Sequence, residues 1–390
     1  MTSTTLRPAM DEALEDAVAS GAVPNVVAVA ADRDGILYER GFGPRSPDDP
    51  TEVDADSHFR IMSMTKMVVT VVALALMEQY KLDIDAPVEE YCPEFADVRV
   101  LERIQDGRPV LRPPARKATL KHLITHTSGL GYWFWDPDVL AWERAVDAPN
   151  VLSGSRRIFE APMVCDPGTR FVYGIGTDWL GRAVEAVCDR PLDEIVTTMV
   201  TGPLGMSQTG FLLDDDRLAG VVPVHLRGDD GSWASSEIEL HRTPDYWSAG
   251  HGLYSTPSDY LRFQRMLLGD GTSPDGVTVL APATVDAAFA NQIDGLDFPA
   301  EIPAADPAST FGLQVGPEHT WGHGLLVNTA DQPGRRRAGS GAWAGFFNTH
   351  FWVDRTTGIT GAIYAQMLPF LPPDAMRMYQ EFETAVYASL

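Results

Sequence analysis

Ser63 and Lys66 stand three residues apart at the head of an apolar run, Ile61-Met-Ser63-Met-Thr-Lys66-Met-Val-Val-Thr-Val-Val-Ala-Leu-Ala-Leu-Met77. At that spacing two residues share one face of an α-helix, so the lysine amine can reach the serine hydroxyl and take its proton. Without such help a serine is too weakly acidic to attack a carbonyl. The chain holds four lysines (Lys66, Lys81, Lys117, Lys121) and nineteen serines in 390 residues, from which chance supplies about 0.2 pairs at this spacing. The apolar surroundings predict a buried helix, where desolvation disfavours the ammonium form and brings the amine toward the range of a general base. The structural alternative is that Ser63 caps the helix while Lys66 extends its amine to water.

A serine with its own base also needs a proton relay to the leaving group, an oxyanion hole and a shaped pocket. Tyr173, in Pro167-Gly-Thr-Arg-Phe-Val-Tyr173-Gly, lies between a turn and a predicted helix, where a loop could aim its phenol at a cleft; packing is the other use for a tyrosine there. Tyr132-Trp133-Phe134-Trp135 cannot all point to one face of a regular element, so some of the four should border a surface or a site. His122 and His126 are four apart on a predicted helix, but no third ligand suggests itself and no metal site is expected. His251, in Gly250-His251-Gly252, is assigned to the cleft wall with its role left open. No Gly-x-Ser-x-Gly elbow occurs, which argues against an ordinary Ser-His-Asp hydrolase.

The elements that must position these groups read as an α/β fold. An acidic amphipathic helix over 10–20 ends at Gly21, and two strand-like runs, 25–31 and 36–40, flank the hairpin dipeptide Asp34-Gly35. Runs 346–353 and 359–366 are again strand-like, and a helix is predicted over 374–387. Strand pairs near both termini imply one antiparallel sheet built from both chain ends and flanked by helices. The middle reads as helices (120–125, 178–187, 192–200, 257–268) joined by Pro- and Gly-rich loops, such as Asp294 to Ala308. We therefore expect residues 1–94 and 305–390 to form the sheet domain and 95–304 a large, mainly helical inserted domain.

Composition narrows the function classes. The formal charge of −24 opposes nucleic acid and anionic membrane surfaces as partners, and the Arg335-Arg336-Arg337 run reads as a solvated cluster at a strand end, the alternative being positive charge brought near the site. No apolar stretch is long enough to span a bilayer. The N-terminal residues lack a secretory pattern, and Cys92, Cys165 and Cys188 are odd in number and widely spaced; both point to a cytoplasmic chain with reduced thiols.

Taken in order, Ser63-Met-Thr-Lys66, Leu123-Ile-Thr-His126-Thr-Ser128-Gly, Pro167-Gly-Thr-Arg-Phe-Val-Tyr173 and Trp343-Ala344-Gly345 resemble the blocks of the serine β-lactamase and penicillin-binding-protein superfamily. Within it the chain most resembles the family VIII carboxylesterases, which share the class C β-lactamase fold. The resemblance implies Ser63 as nucleophile, Lys66 as base and Tyr173 as proton shuttle, with an oxyanion hole from the backbone N–H groups of Ser63 and Phe346 and no cofactor. Trp343-Ala344-Gly345 falls where the β-lactamases carry Lys-Thr-Gly, and Ile175 where they carry the Asn of Tyr-x-Asn. Both departures disfavour β-lactams and favour a neutral, apolar ester, with Tyr132 and Trp133 as further pocket walls. A β-lactamase or D-amino-acid peptidase, an acyltransferase working through the same acyl-enzyme, and a silent ligand-binding relative are the alternatives.

Overall fold

In the computed structural model, residues 7–293 and 295–390 are described. Met1–Leu6, on which part of the N-terminal reading rests, and Asp294 lie outside them. Seven strands form the central sheet: β1 (Val26–Asp32), β2 (Ile36–Phe42), β3 (His319–Trp321), β4 (Leu326–Asn328), β5 (Gly341–Gly345), β6 (Thr349–Asp354) and β7 (Ile359–Tyr364). They run in the order β3-β4-β5-β6-β7-β1-β2, antiparallel throughout. The two chain ends meet at β1 and β7, where Val27 pairs with Tyr364 and Ala28 with Ile363.

Alternation along the strands sends successive side chains to opposite faces, and here both faces are covered. Val27, Val29, Phe351 and Val353 join the large core around α2 (Thr65–Glu78) and α5 (Pro257–Leu268). Ala28, Ala30, Trp352 and Ile363 face the terminal helices α1 (Arg7–Ala19) and α6 (Pro373–Ala388). Two-sided burial explains why β1 and β7 read as nearly continuous apolar runs.

Helix α2 is buried along Thr65–Leu76. A helix apolar on every side belongs in the middle of a layered fold, and this one packs against α4 (Gly176–Cys188) within the core it shares with one face of the sheet. Three sequence expectations are corrected. Phe346–Asn348 form the tight turn from β5 to β6, with Asn348 at φ +67°, and are not strand. Helix α3 (Leu120–Ile124) stops two residues short of His126, which sits at φ +52°, so His122 and His126 do not share a helical face. Arg336 is not solvated but buried, clasped by Glu383 of α6 through Nε at 2.7 Å and Nη2 at 2.8 Å.

Among the described residues, no helix is long and apolar enough to cross a membrane, and no group of three His, Cys, Asp or Glu side chains is placed to hold a metal. The three cysteines are unpaired.

Candidate active site

Ser63 lies in a single 3₁₀ turn, Met62–Met64, that leads straight into α2. Met62, just before it, has φ +47°, a left-handed conformation that costs an unbranched L-residue of order 1 kcal/mol and clusters at functional turns. The turn brings the Ser63 segment against β5 so closely that a side chain at Gly345 would meet the Ile61 carbonyl at 2.3 Å. Glycine is required there. Among the described residues, neither the Ser63 nor the Phe346 N–H donates to a protein acceptor, leaving two free donors on facing segments.

The Lys66 amine is buried and lies 3.2 Å from the Ser63 Oγ, 3.2 Å from the Tyr132 Oη and 2.8 Å from the Gly250 carbonyl. Among the described residues no carboxylate forms an ion pair with it, and burial lowers its pKa to about 7, partly opposed by the charge of Asp178. In the neutral amine, the Gly250 carbonyl and the Tyr132 hydroxyl can take its two protons, which leaves the lone pair for the Ser63 O–H. The capping alternative is thereby disfavoured: no side chain caps α2, and the Lys66 amine does not reach water.

Tyr173 is buried with its ring 4.9 Å from the Lys66 Nζ. Burial raises its pKa, with the Ser63 hydroxyl and the Trp343 indole lying against the phenol and partly offsetting that rise. Trp343 donates its Nε1–H to the Tyr173 Oη at 2.9 Å. An indole can only donate, so the phenol accepts here and its own proton is free to point elsewhere. The Tyr173 loop is held by His126, whose carbonyl accepts from Val172 N–H at 2.7 Å, whose Nδ1 accepts from Gly174 N–H at 3.4 Å, and whose ring packs 4.5 Å from Tyr173. Burial pushes the His126 pKa well down, so the ring is neutral.

The remaining expected site residues divide. Trp133 is half-buried beside Phe346, at 6.1 Å between ring centroids, and Ala344 is half-buried on β5; both border open space. Tyr132 is buried against Lys66 and belongs to the amine's shell, not to an open wall. Ile175 is buried in the core at the start of α4. His251 is buried, with its Nδ1 2.8 Å from the Ser248 Oγ.

That bond belongs to a network the sequence reading did not anticipate. Asp178, in the first turn of α4, accepts from the Ser248 Oγ at 2.6 Å and from the Gly250 N–H at 3.1 Å, and so fixes the turn whose carbonyl receives Lys66. A side chain at Gly250 would strike the Asp178 Oδ2 at 2.5 Å. The only legible signal was an acid on the otherwise apolar, buried face of a predicted helix.

The chain matches the family model described as Beta-lactamase over residues 10–385. It is 30% identical over 397 residues to a lovastatin esterase from Penicillium rubens, covering 97% of this chain and 98% of that protein. It is likewise 30% identical over 399 residues to a monacolin J acid methylbutanoyltransferase from Aspergillus terreus, covering 97% and 95%. Among solved structures, a simvastatin synthase mutant from Aspergillus terreus superposes with a TM-score of 0.84 at 27% identity, covering 99% of this chain and 97% of that one. Matched along nearly its whole length and built on the same α/β architecture, the chain belongs to the β-lactamase family of serine hydrolases, which here includes esterase and acyltransferase relatives.

Proposed function

We propose that this chain is a carboxylesterase that works through an acyl-enzyme on Ser63. The observation that carries the reading is the Lys66 amine, buried without an ion-pair partner among the described residues, poised near pKa 7 and 3.2 Å from the Ser63 hydroxyl. Lys66 takes the Ser63 proton as Oγ attacks the ester carbonyl, and the N–H groups of Ser63 and Phe346 receive the oxyanion. Tyr173, kept protonated by burial, delivers its proton to the departing alkoxide and is reloaded from Lys66. Water then enters along the path of the alcohol, gives its proton to the same pair, and releases the acid.

A small-molecule ester is the partner this reading calls for, and no cofactor enters it. The Trp343 indole stands at the place of the β-lactamase lysine and a buried Ile175 at the place of the amide side chain, so neither of those two groups is there to hold a β-lactam. A cytoplasmic location accompanies the proposal, supported by three unpaired cysteines.

A second reading, acyl transfer to an alcohol, is favoured by equal 30% identity to an esterase and to a methylbutanoyltransferase. The two share every step up to the acyl-enzyme and part at the acceptor. Turnover of p-nitrophenyl butyrate, with Ser63→Ala and nitrocefin alongside, tests the first reading: hydrolysis lost in the variant with little nitrocefin cleavage supports it. Full activity of Ser63→Ala removes Ser63 from the mechanism. Adding an alcohol acceptor and measuring new ester against free acid assigns the second.

A further inference from the structure

We propose that Gln366 is a positioning residue for the oxyanion hole: its side-chain amide fastens the segment that ends at Ser63 to the strand tip that holds the Phe346 turn. The inference rests on the acyl-enzyme reading, in which the N–H groups of Ser63 and Phe346 receive the oxyanion. Those two donors sit on separate segments and must keep a fixed spacing, because a donor misplaced by about 1 Å no longer meets the developing charge.

The Ser63 side is short of partners. Phe59–Arg60 forms a brief strand against Tyr254–Ser255, but Tyr254, opposite Arg60, gives its own N–H and C=O to Gly210. The backbone groups of Arg60 therefore face the other edge, and Gln366 meets them there in place of a strand. Its Oε1 accepts from the Arg60 N–H at 3.3 Å, and its Nε2 donates to the Arg60 carbonyl at 3.1 Å. A carboxamide, with an acceptor beside a donor in one plane, is the side-chain copy of a peptide unit, and this one is fully buried.

The Phe346 side is held by the same strand tip. The N–H groups of Ala365 and Met367, on either side of Gln366, donate to the carbonyls of Asn348 and Phe347, both at 3.2 Å. Asn348 returns a bond from its Nδ2 to the Met367 carbonyl at 2.9 Å, and its Oδ1 accepts from the Leu371 N–H at 2.9 Å. The turn cannot swing without lifting the strand tip, which is itself anchored where the Gln366 carbonyl accepts from the His225 N–H at 2.7 Å. A direct tie also runs from the Thr349 Oγ1 to the Ile61 carbonyl, but it is longer, at 3.4 Å. Among the described residues, the Gln366 amide bonds to Arg60 and the neighbouring Ala365 carbonyl, not to Ser63, Lys66 or Tyr173. It thus acts on the placement of the donors and not on the path of the proton.

The test is Gln366→Met, which keeps the volume and removes both bonds to Arg60. On p-nitrophenyl butyrate the loss should fall on kcat, about thirtyfold, short of the loss of a whole oxyanion donor, with the rising limb of the pH profile still near 7. Inhibition by a trifluoromethyl ketone, which Ser63 converts to a tetrahedral oxyanion, should weaken by the same factor, because only the tetrahedral state uses the hole. A ketone inhibition constant unmoved by the substitution overturns the proposal, whatever happens to stability in urea. Labelling of Ser63 by diethyl p-nitrophenyl phosphate, followed by mass spectrometry, reads the same hole without ester turnover. Labelling slowed about thirtyfold in Gln366→Met upholds the positioning role even where the butyrate ester is left uncleaved and the esterase reading falls. Labelling at the wild-type rate overturns the positioning role alone, and a wild-type Ser63 that is never labelled overturns both. Should Gln366→Met not fold, Gln366→Glu takes its place at pH 9.5, where the carboxylate accepts but no longer donates to the Arg60 carbonyl; slowed labelling supports the proposal, and a rate equal to wild type at that pH overturns it.

Discussion

Two cations are buried on opposite sides of the sheet, and the protein treats them in opposite ways. Arg336 packs over Trp352 and Tyr379 among the terminal helices, gripped by both oxygens of Glu383. A guanidinium does not give up its proton, so the only way to bury it is to pair it, and the pair ties α6 to the loop ahead of β5. Lys66, on the α2 side, is met by two hydroxyls and a carbonyl, with no carboxylate in contact among the described residues. Its environment weakens the charged form instead of neutralising it. The paired cation is a fixed structural charge, and the unpaired amine is free to exchange a proton with Ser63.

Removing the chemistry from the unpaired site should give the largest effect. Ser63→Ala and Lys66→Met are each expected to lower kcat on p-nitrophenyl butyrate by about a thousandfold, while Lys66→Met also raises stability to urea by on the order of 1 kcal/mol, since the folded protein holds the amine's pKa near 7 and so disfavours the ammonium form that the unfolded chain keeps. A Lys66→Met protein that is inactive and markedly less stable would mean the amine is structural, and the contrast with Arg336 would collapse.

Next in size is the paired site. Glu383→Ala strands Arg336 without its partner and should cost about 3–5 kcal/mol in the free energy of unfolding by urea. The two sites then differ in sign: deleting the charge at one stabilises, and deleting the partner at the other destabilises. A loss under about 1 kcal/mol would show that Arg336 finds water.

The pH profile sharpens the comparison further. Lys66 must be neutral to act, so kcat/KM should rise with pH through about 7 and level off above it. His126 and His251 lie nearby, but burial pushes the His126 pKa well down and that of His251 down to about 4, so neither supplies a limb near 7. A profile flat from pH 5 to 8 would detach the rate from Lys66.

How much of this was legible in the sequence follows from the range of the interactions. The Ser63–Lys66 pair was readable because one turn of backbone fixes it, and the sheet because apolar runs at both termini had few other ways to be buried. Trp343 was placed as a pocket wall, but its bond to Tyr173 spans 170 positions, which no local pattern encodes. The turn at Phe346–Asn348 was read as strand because two phenylalanines carry strand propensity, while the left-handed Asn348 breaks the strand. The Arg335–Arg337 run was read as solvated because charge runs usually are, and what reversed that for Arg336 was a single glutamate 47 residues away. Asp178 was missed for the same reason, since its partners Ser248 and Gly250 lie 70 and 72 residues further on.

Asp178 carries the smallest and most diagnostic prediction. It does not touch Lys66, yet it fixes the Gly250 carbonyl that does, and its charge is the one ionised influence that holds the amine's pKa up. The tyrosines around the amine, Tyr132 and Tyr173, are kept protonated by burial, and His126 and His251 are neutral. Replacing the carboxylate by an amide in Asp178→Asn removes a negative charge, so the ammonium loses support and the Lys66 pKa falls. The base is then neutral at lower pH, and the rising limb of kcat/KM should move down by about one pH unit, with a smaller kcat from a loosened turn. Ser248→Ala loosens the same turn but keeps the charge, so its limb should stay in place while its kcat drops. If both variants lower kcat and neither moves the limb, Asp178 acts only through the turn. If the Asp178→Asn limb moves upward, Lys66 is not the group that titrates.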